Sequence, residues 1–159
     1  MPFAARHVMN SLLERSFKEG RDDISPMKAQ KLLFYTHGWH LAITGEPAID
    51  QPFEVWPYGP VVGQIYHGLK GFGSGKITKY LTEFDFTTQK EAAYVVNKER
   101  KQLYDALDIA WEKYVGISAT SLSAMTHEEG SPWAISKAQG IASIPNDYIR
   151  EYFVGLTKQ

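Results

Sequence analysis

Apolar residues recur at Ala5, Val8, Met9 and Leu12. This i, i+3, i+4, i+7 spacing puts them on one face of an amphipathic helix. Gly20 and the charged run Arg21-Asp22-Asp23 end that pattern. Ser25-Pro26 then supplies a hydroxyl N-cap and a proline at the first helical position, where its missing N–H is no loss. The spacing predicts a helix from Met27 to Thr44, stopped by Gly45 and Pro47. Along it Leu32, Leu33, Phe34, Tyr35, Trp39, Leu41 and Ile43 point in nearly every direction. A helix that is apolar most of the way round belongs at the buried centre of a domain, so this is the expected core helix.

The pattern then changes. Gln51 to Trp56 alternates over a short run bracketed by Pro52 and Pro57, which predicts a short edge strand. Tyr58-Gly59-Pro60 is expected to turn, Val61 to Leu69 to make two helical turns, and Gly71-Phe72-Gly73-Ser74-Gly75 to serve as a flexible connector. Ile77 to Leu81 is the expected second strand, paired with the first. From Asn97 the helical signal returns, with Leu103, Leu107, Ala110, Trp111 and Tyr114 on one face and Gly116 as the stop. Ser118 caps a short helix through Met125, Pro132-Trp133 opens another turn or short helix, and Pro145 starts a last one carrying Ile149, Tyr152, Phe153 and Leu156. The sum is a mainly α fold: a single helical domain over residues 1–159, built around one central buried helix, with a minor short β element.

A chain of 159 residues fits one domain. It has 17 Lys and Arg against 18 Asp and Glu, a net charge of −1. Residues 1–80 carry nine basic and seven acidic side chains, and residues 81–159 eight and eleven. Neither half has the basic excess of a broad phosphate-binding face, so nucleic acid is not an expected partner. Cysteine is absent, which removes disulfides, thiolate nucleophiles and Cys-based zinc sites together. The N-terminal stretch lacks the apolar core of a signal peptide, and no apolar run approaches the ~20 residues of a membrane span. The expected location is the cytoplasm.

Candidate chemistry is sparse. Gly71–Lys76 has the glycine content of a phosphate cradle, but Lys70 stands where the P-loop needs a glycine, and Ile77 where it needs a hydroxyl. His37 and His40 are i, i+3 on the core helix, without the HExxH pattern of a helical zinc site. His127 lies beside Glu128 and Glu129, but neighbouring residues on a helix point apart, and no G-x-S-x-G elbow surrounds any serine. No catalytic, cofactor-binding or metal-ligating set follows. Trp56, Tyr58, Trp133, Tyr148, Tyr152 and Phe153 lie in or near predicted loops and chain ends. Aromatic residues bury large rigid area at small entropy cost, so the residues point to a protein-interaction module.

Three stretches read together carry a resemblance: Met27-Lys28-Ala29-Gln30-Lys31-Leu32-Leu33-Phe34-Tyr35 running on to Gly38-Trp39-His40; Phe53-Glu54-Val55-Trp56-Pro57-Tyr58-Gly59-Pro60-Val61-Val62; and Leu122 to His127 followed by Ser131-Pro132-Trp133. Their order and spacing resemble the Panacea domain, the SocA-like or GepA-like phage-associated family, from about residue 5 to 155. The resemblance implies a helical antitoxin, often carried in prophages, that neutralises a cognate protein toxin by direct contact. Toxins partnered across the family include alarmone-synthetase-like enzymes that modify tRNA and inhibit translation. It also implies one alternative, an adaptor that delivers the toxin to the ClpXP protease. A second alternative, read from the residues and not from the resemblance, is a hydrolase that reverses the toxin's modification with His127 and Glu128 as its acid–base pair.

The family-motif residues Lys31, Tyr35, Trp39, Trp56, Pro57, Gly59, Pro60, His127 and Trp133 are read as structural or binding, with no catalytic role to carry over. Prolines fix two φ angles in Trp56-Pro57-Tyr58-Gly59-Pro60 and glycine permits a turn, which holds two large aromatics in place. On the structural reading Trp56 and Tyr58 pin this loop onto the core helix beside Tyr35 and Trp39. On the binding reading Tyr58, Tyr66, Phe72 and Phe84 form part of an aromatic surface for the toxin.

Overall fold

A computed structural model describes all residues, Met1–Gln159. Seven helices and two antiparallel hairpins make a mainly α fold. Helix α1 (Ala5–Glu19) buries Ala5, Val8, Met9, Leu12 and Leu13, the face its periodicity predicts. Helix α2 (Pro26–Thr44) starts where the Ser25 hydroxyl accepts the Lys28 N–H, and ends where the Gly45 N–H closes on the Leu41 carbonyl at 2.8 Å. Every residue from Lys28 to Leu41 is buried. The helix is surrounded by α1, α3 (Gly63–Leu69), α4 (Lys101–Tyr114), α5 (Ala119–Thr126) and α7 (Asn146–Leu156). One contiguous apolar cluster takes side chains from each of these and from Trp133 of α6 (Pro132–Ala138).

Helices α2 and α7 approach closely at Gly38, where a Cβ would lie 2.1 Å from the Phe153 ring. Glycine at this point lets α7 lay Phe153 directly on the backbone of α2, where the ring also meets Phe34, Tyr35 and Trp39 edge-on. Helix α4 begins at Lys101 rather than near Asn97, because the Asn97 side chain accepts the Glu99 N–H in a local turn that precedes the helix.

The β structure corrects the sequence reading. Strand β1 (Glu54–Trp56) pairs not with residues 77–81 but with β2 (Gly59–Val61), around a two-residue Pro57-Tyr58 turn, in the register Glu54↔Val61, Val55↔Pro60, Trp56↔Gly59. The outer edge of β1 is met by residues 142–144, through Val55 N–H to the Ala142 carbonyl and Ile144 N–H to the Phe53 carbonyl, both 2.8 Å. Residues 77–81 form no strand because their backbone groups are engaged elsewhere. Ile77 N–H bonds the Ile24 carbonyl at 2.9 Å, and the buried Asn10 amide clasps both polar groups of Leu81 at 2.9 Å and the Tyr94 carbonyl at 3.0 Å. A second hairpin, β3 (Glu83–Asp85) with β4 (Lys90–Ala92), follows instead. No helix is long and apolar enough to cross a membrane.

Candidate functional site

The Trp56–Val62 segment is fastened from below at five backbone positions. The wholly buried Lys31 donates from Nζ to the Pro60 carbonyl at 3.1 Å. Gln30, one residue earlier on α2, pairs with both polar groups of Val62 at 3.1 Å. From α5, the Ser123 hydroxyl donates to the Tyr58 carbonyl at 2.7 Å, and His127 Nε2 lies 2.8 Å from the Pro57 carbonyl. From α6, Trp133 Nε1–H donates to the Trp56 carbonyl at 2.9 Å. Four carbonyls of the hairpin and its turn, those of Trp56, Pro57, Tyr58 and Pro60 but not Gly59, thus each meet a side-chain nitrogen or hydroxyl from the helices below.

Gly59 is where this seat is tightest. Its φ of +112° is open to glycine, and a Cβ there would stand 2.5 Å from the Thr126 hydroxyl and 2.9 Å from Lys31 Cε. The Trp-Pro-Tyr-Gly-Pro sequence and the Lys31, His127 and Trp133 positions are therefore one mechanical unit. Tyr35 and Trp39 are not part of it. Tyr35 stacks on Tyr114 at 3.8 Å, and Trp39 donates to the Tyr114 hydroxyl at 3.1 Å, so both face α4 and α7 rather than the hairpin. Burial raises the Tyr35 hydroxyl's pKa well above the usual tyrosine range.

His127 caps the C-terminus of α5 with its ring 4.0 Å from that of Trp133. Its second nitrogen, Nδ1, faces the Ser123 carbonyl, so both ring nitrogens are directed at main-chain oxygens and no hydrogen bond joins the ring to Glu128. A neutral imidazole donates to one of these oxygens, and the doubly protonated ring to both. His37 and His40 are likewise engaged. His37 Nε2 meets Asn146 Oδ1 at 2.9 Å while its Nδ1 accepts from the Ala48 and Ile49 N–H groups, and burial pulls its pKa down to about 4. His40 Nδ1 donates to the Glu46 carbonyl at 2.7 Å.

Of the four aromatics expected at an interface, the structure brings Tyr58 and Tyr66 to one place. They line a cleft of about 230 Å³ with Trp56, whose ring lies 4.8 Å from that of Tyr66. Tyr58 is 64% exposed although its main chain is fixed. Phe72 is half-buried against the core, and Phe84 sits apart on the second hairpin, packed on Phe86 at 4.9 Å. Sequence reasoning missed Gln30 and Ser123, whose partners are backbone groups 32 and 65 positions away. Only their place inside the motif blocks pointed to them.

The Caulobacter vibrioides (strain NA1000 / CB15N) protein named antitoxin SocA is 29% identical over 132 residues, which span 82% of this chain and 69% of that protein. No solved structure matches the chain. The family model described as antitoxin SocA-like, Panacea domain, matches residues 30–134, a segment that begins at Gln30 beneath the hairpin and closes just after Trp133. The chain belongs to the SocA-like antitoxin, Panacea domain family.

Proposed function

We propose that this chain neutralises a cognate protein toxin by binding it directly, and that the exposed aromatic surface around Tyr58 and Tyr66 forms part of the contact. The observation that carries this reading is the combination at Tyr58 of a side chain largely in solvent and a main chain held by Ser123 and the adjoining carbonyl bonds. A large aromatic presented on a rigid support loses little entropy on docking. Family membership supports the antitoxin role, and the engagement of both His127 nitrogens by main-chain carbonyls favours binding over acid–base chemistry.

The test is co-expression with the protein encoded by the adjacent reading frame, followed by affinity purification and titration of toxicity or toxin activity. A lasting complex, with inhibition saturating near equimolar antitoxin, supports blocking. Protection at far lower ratios without a complex overturns it in favour of the hydrolase. Loss of protection in a host lacking ClpXP, with binding retained, replaces blocking by delivery to the protease. The placement at Tyr58 and Tyr66 fails if alanine at both leaves toxin affinity unchanged in a folded protein.

A further inference from the structure

The cleft beside Tyr58 has a chemical bias that its aromatic walls do not explain. It is lined by Trp56, Tyr58, Val61, Tyr66 and Leu69 among apolar groups, and by two lysines, Lys31 and Lys70, with no aspartate or glutamate. Lys31 has no solvent exposure and forms part of the floor; Lys70 is exposed at the rim. Neither lysine takes part in any ion pair. Glu54, the nearby carboxylate on β1, is committed to the Gly63 N–H at 3.1 Å and the Trp56 indole at 3.4 Å. Lys31 has the Pro60 carbonyl at 3.1 Å as its hydrogen-bond partner but no counter-charge, and a buried ammonium without one is rare.

We propose that this cleft binds a carboxylate-bearing apolar segment of the toxin, with an aliphatic or aromatic side chain seated between Tyr58 and Tyr66 and an adjacent aspartate or glutamate paired with Lys70 in the field of Lys31. The proposal rests on the toxin-binding reading above and specifies its chemistry. A cleft of about 230 Å³ with aromatic walls admits one large side chain and excludes water around it. An opposite charge arriving there meets cations that the free protein leaves unpaired, which selects acidic partners and speeds their encounter.

Two measurements test it together. Affinity for the toxin encoded by the adjacent reading frame is measured by calorimetry for the wild type, Lys70→Gln and Lys31→Met at low and high salt. Each lysine variant is expected to bind about tenfold more weakly and with less salt dependence. Lys70 is exposed, so its variant keeps the test open if Lys31→Met does not fold. The cleft alone is probed by NMR with acetyl-Leu-Glu-amide and acetyl-Leu-Gln-amide at millimolar concentration. The glutamate peptide is expected to shift the Trp56 indole and Gly73 amide signals at least several-fold more than its amide counterpart, and Lys70→Gln to remove the difference. Equal shifts from both peptides, or a toxin complex with unchanged affinity in both lysine variants, overturns the cleft and leaves the antitoxin reading standing. Peptide discrimination without any toxin complex supports the carboxylate site and overturns the toxin reading.

Discussion

The two hairpins of this protein have the same secondary structure, three residues per antiparallel strand, and opposite mechanical characters. The first, β1–β2, is bolted to the helical core by Lys31, Ser123, His127 and Trp133, each donating to or facing a different carbonyl. The second, β3–β4, is held mainly at its margins, where Asn10 clasps Leu81 and Tyr94, His7 meets Glu83, and Tyr94 donates to Asp85 at 2.6 Å. Its tip is closed by the Asp85 carboxylate accepting the Thr87 N–H at 2.8 Å, and its aromatics Phe84 and Phe86 point outward. A hairpin too short to stabilise itself has thus been anchored by its surroundings in one case and left as a surface flap in the other.

The largest way to break the contrast is at Gly59. Gly59→Ala forces a Cβ into Thr126 and Lys31 at a φ that L-residues avoid, so the loss in chemical denaturation is expected to be about 3–5 kcal/mol. The matching change in the second hairpin is Gln89→Gly, at a residue with φ of +56°. It is expected to shift stability by less than about 1 kcal/mol, in the favourable direction. Equal effects at the two sites would dissolve the distinction.

Lys31 gives the next largest effect, and its sign is fixed by burial. Desolvation lowers its folded-state pKa from the ordinary 10.5 to about 8. Between those values the unfolded chain binds more protons than the folded one, so stability rises with pH across that interval and is lowest below pH 8. The rise is about 3 kcal/mol at 1.36 kcal/mol per unit. Lys31→Met is expected to abolish that alkaline gain in denaturation measured from pH 7.5 to 9.5, below the range where the Tyr35, Tyr114 and Tyr152 hydroxyls, their pKa raised by burial, begin to oppose it. A wild type with no gain would show that the ammonium is not desolvated under the hairpin.

The contrast also explains what was legible in the sequence. The central helix was readable because its apolar residues leave no polar face and Ser25-Pro26 and Gly45 mark its ends. The motif block around Trp56–Pro60 was readable as rigid because proline and glycine act on their own backbone. Its pairing was not: the alternation at 77–81 is as strand-like as that at 53–56, and the distant Ile24 carbonyl and Asn10 amide decide against it. The second hairpin, with Glu-Phe-Asp facing Lys-Glu-Ala, has no buried face and therefore no periodic signal. Lys31 was visible as a motif residue, but its burial without a counter-charge depends on α5 and β2 closing over it. Helical spacing alone cannot tell which neighbour a fully buried helix turns each face toward, so the structural reading sets Tyr35 and Trp39 beside the hairpin although they face Tyr114 and Phe153.

Trp133 tests the anchoring one bond at a time. Trp133→Phe keeps an aromatic against His127 but leaves the Trp56 carbonyl without its donor. The expected cost is about 2 kcal/mol in thermal or chemical unfolding, combining an unsatisfied buried acceptor with lost volume. If the hairpin were held by apolar packing alone, the loss would stay near that of a small cavity.

The smallest effect on stability is expected at the tip aromatics, and it decides which hairpin meets the partner. Phe86 is 83% exposed and Tyr58 64% exposed. Phe86→Ser and Tyr58→Ser are each expected to change unfolding free energy by less than about 0.5 kcal/mol, since neither leaves a cavity or an orphaned buried group. Toxin affinity then separates them. Tyr58 stands on a fixed main chain beside the lysine-lined cleft, and its loss is expected to weaken binding at least tenfold, as for an interface anchor. Phe86 belongs to the loosely held flap, where ordering on contact offsets much of what burial gains, so its loss is expected to weaken binding by less than about threefold. The reverse ranking would move the interface to β3–β4 and make the anchored hairpin a purely structural keystone.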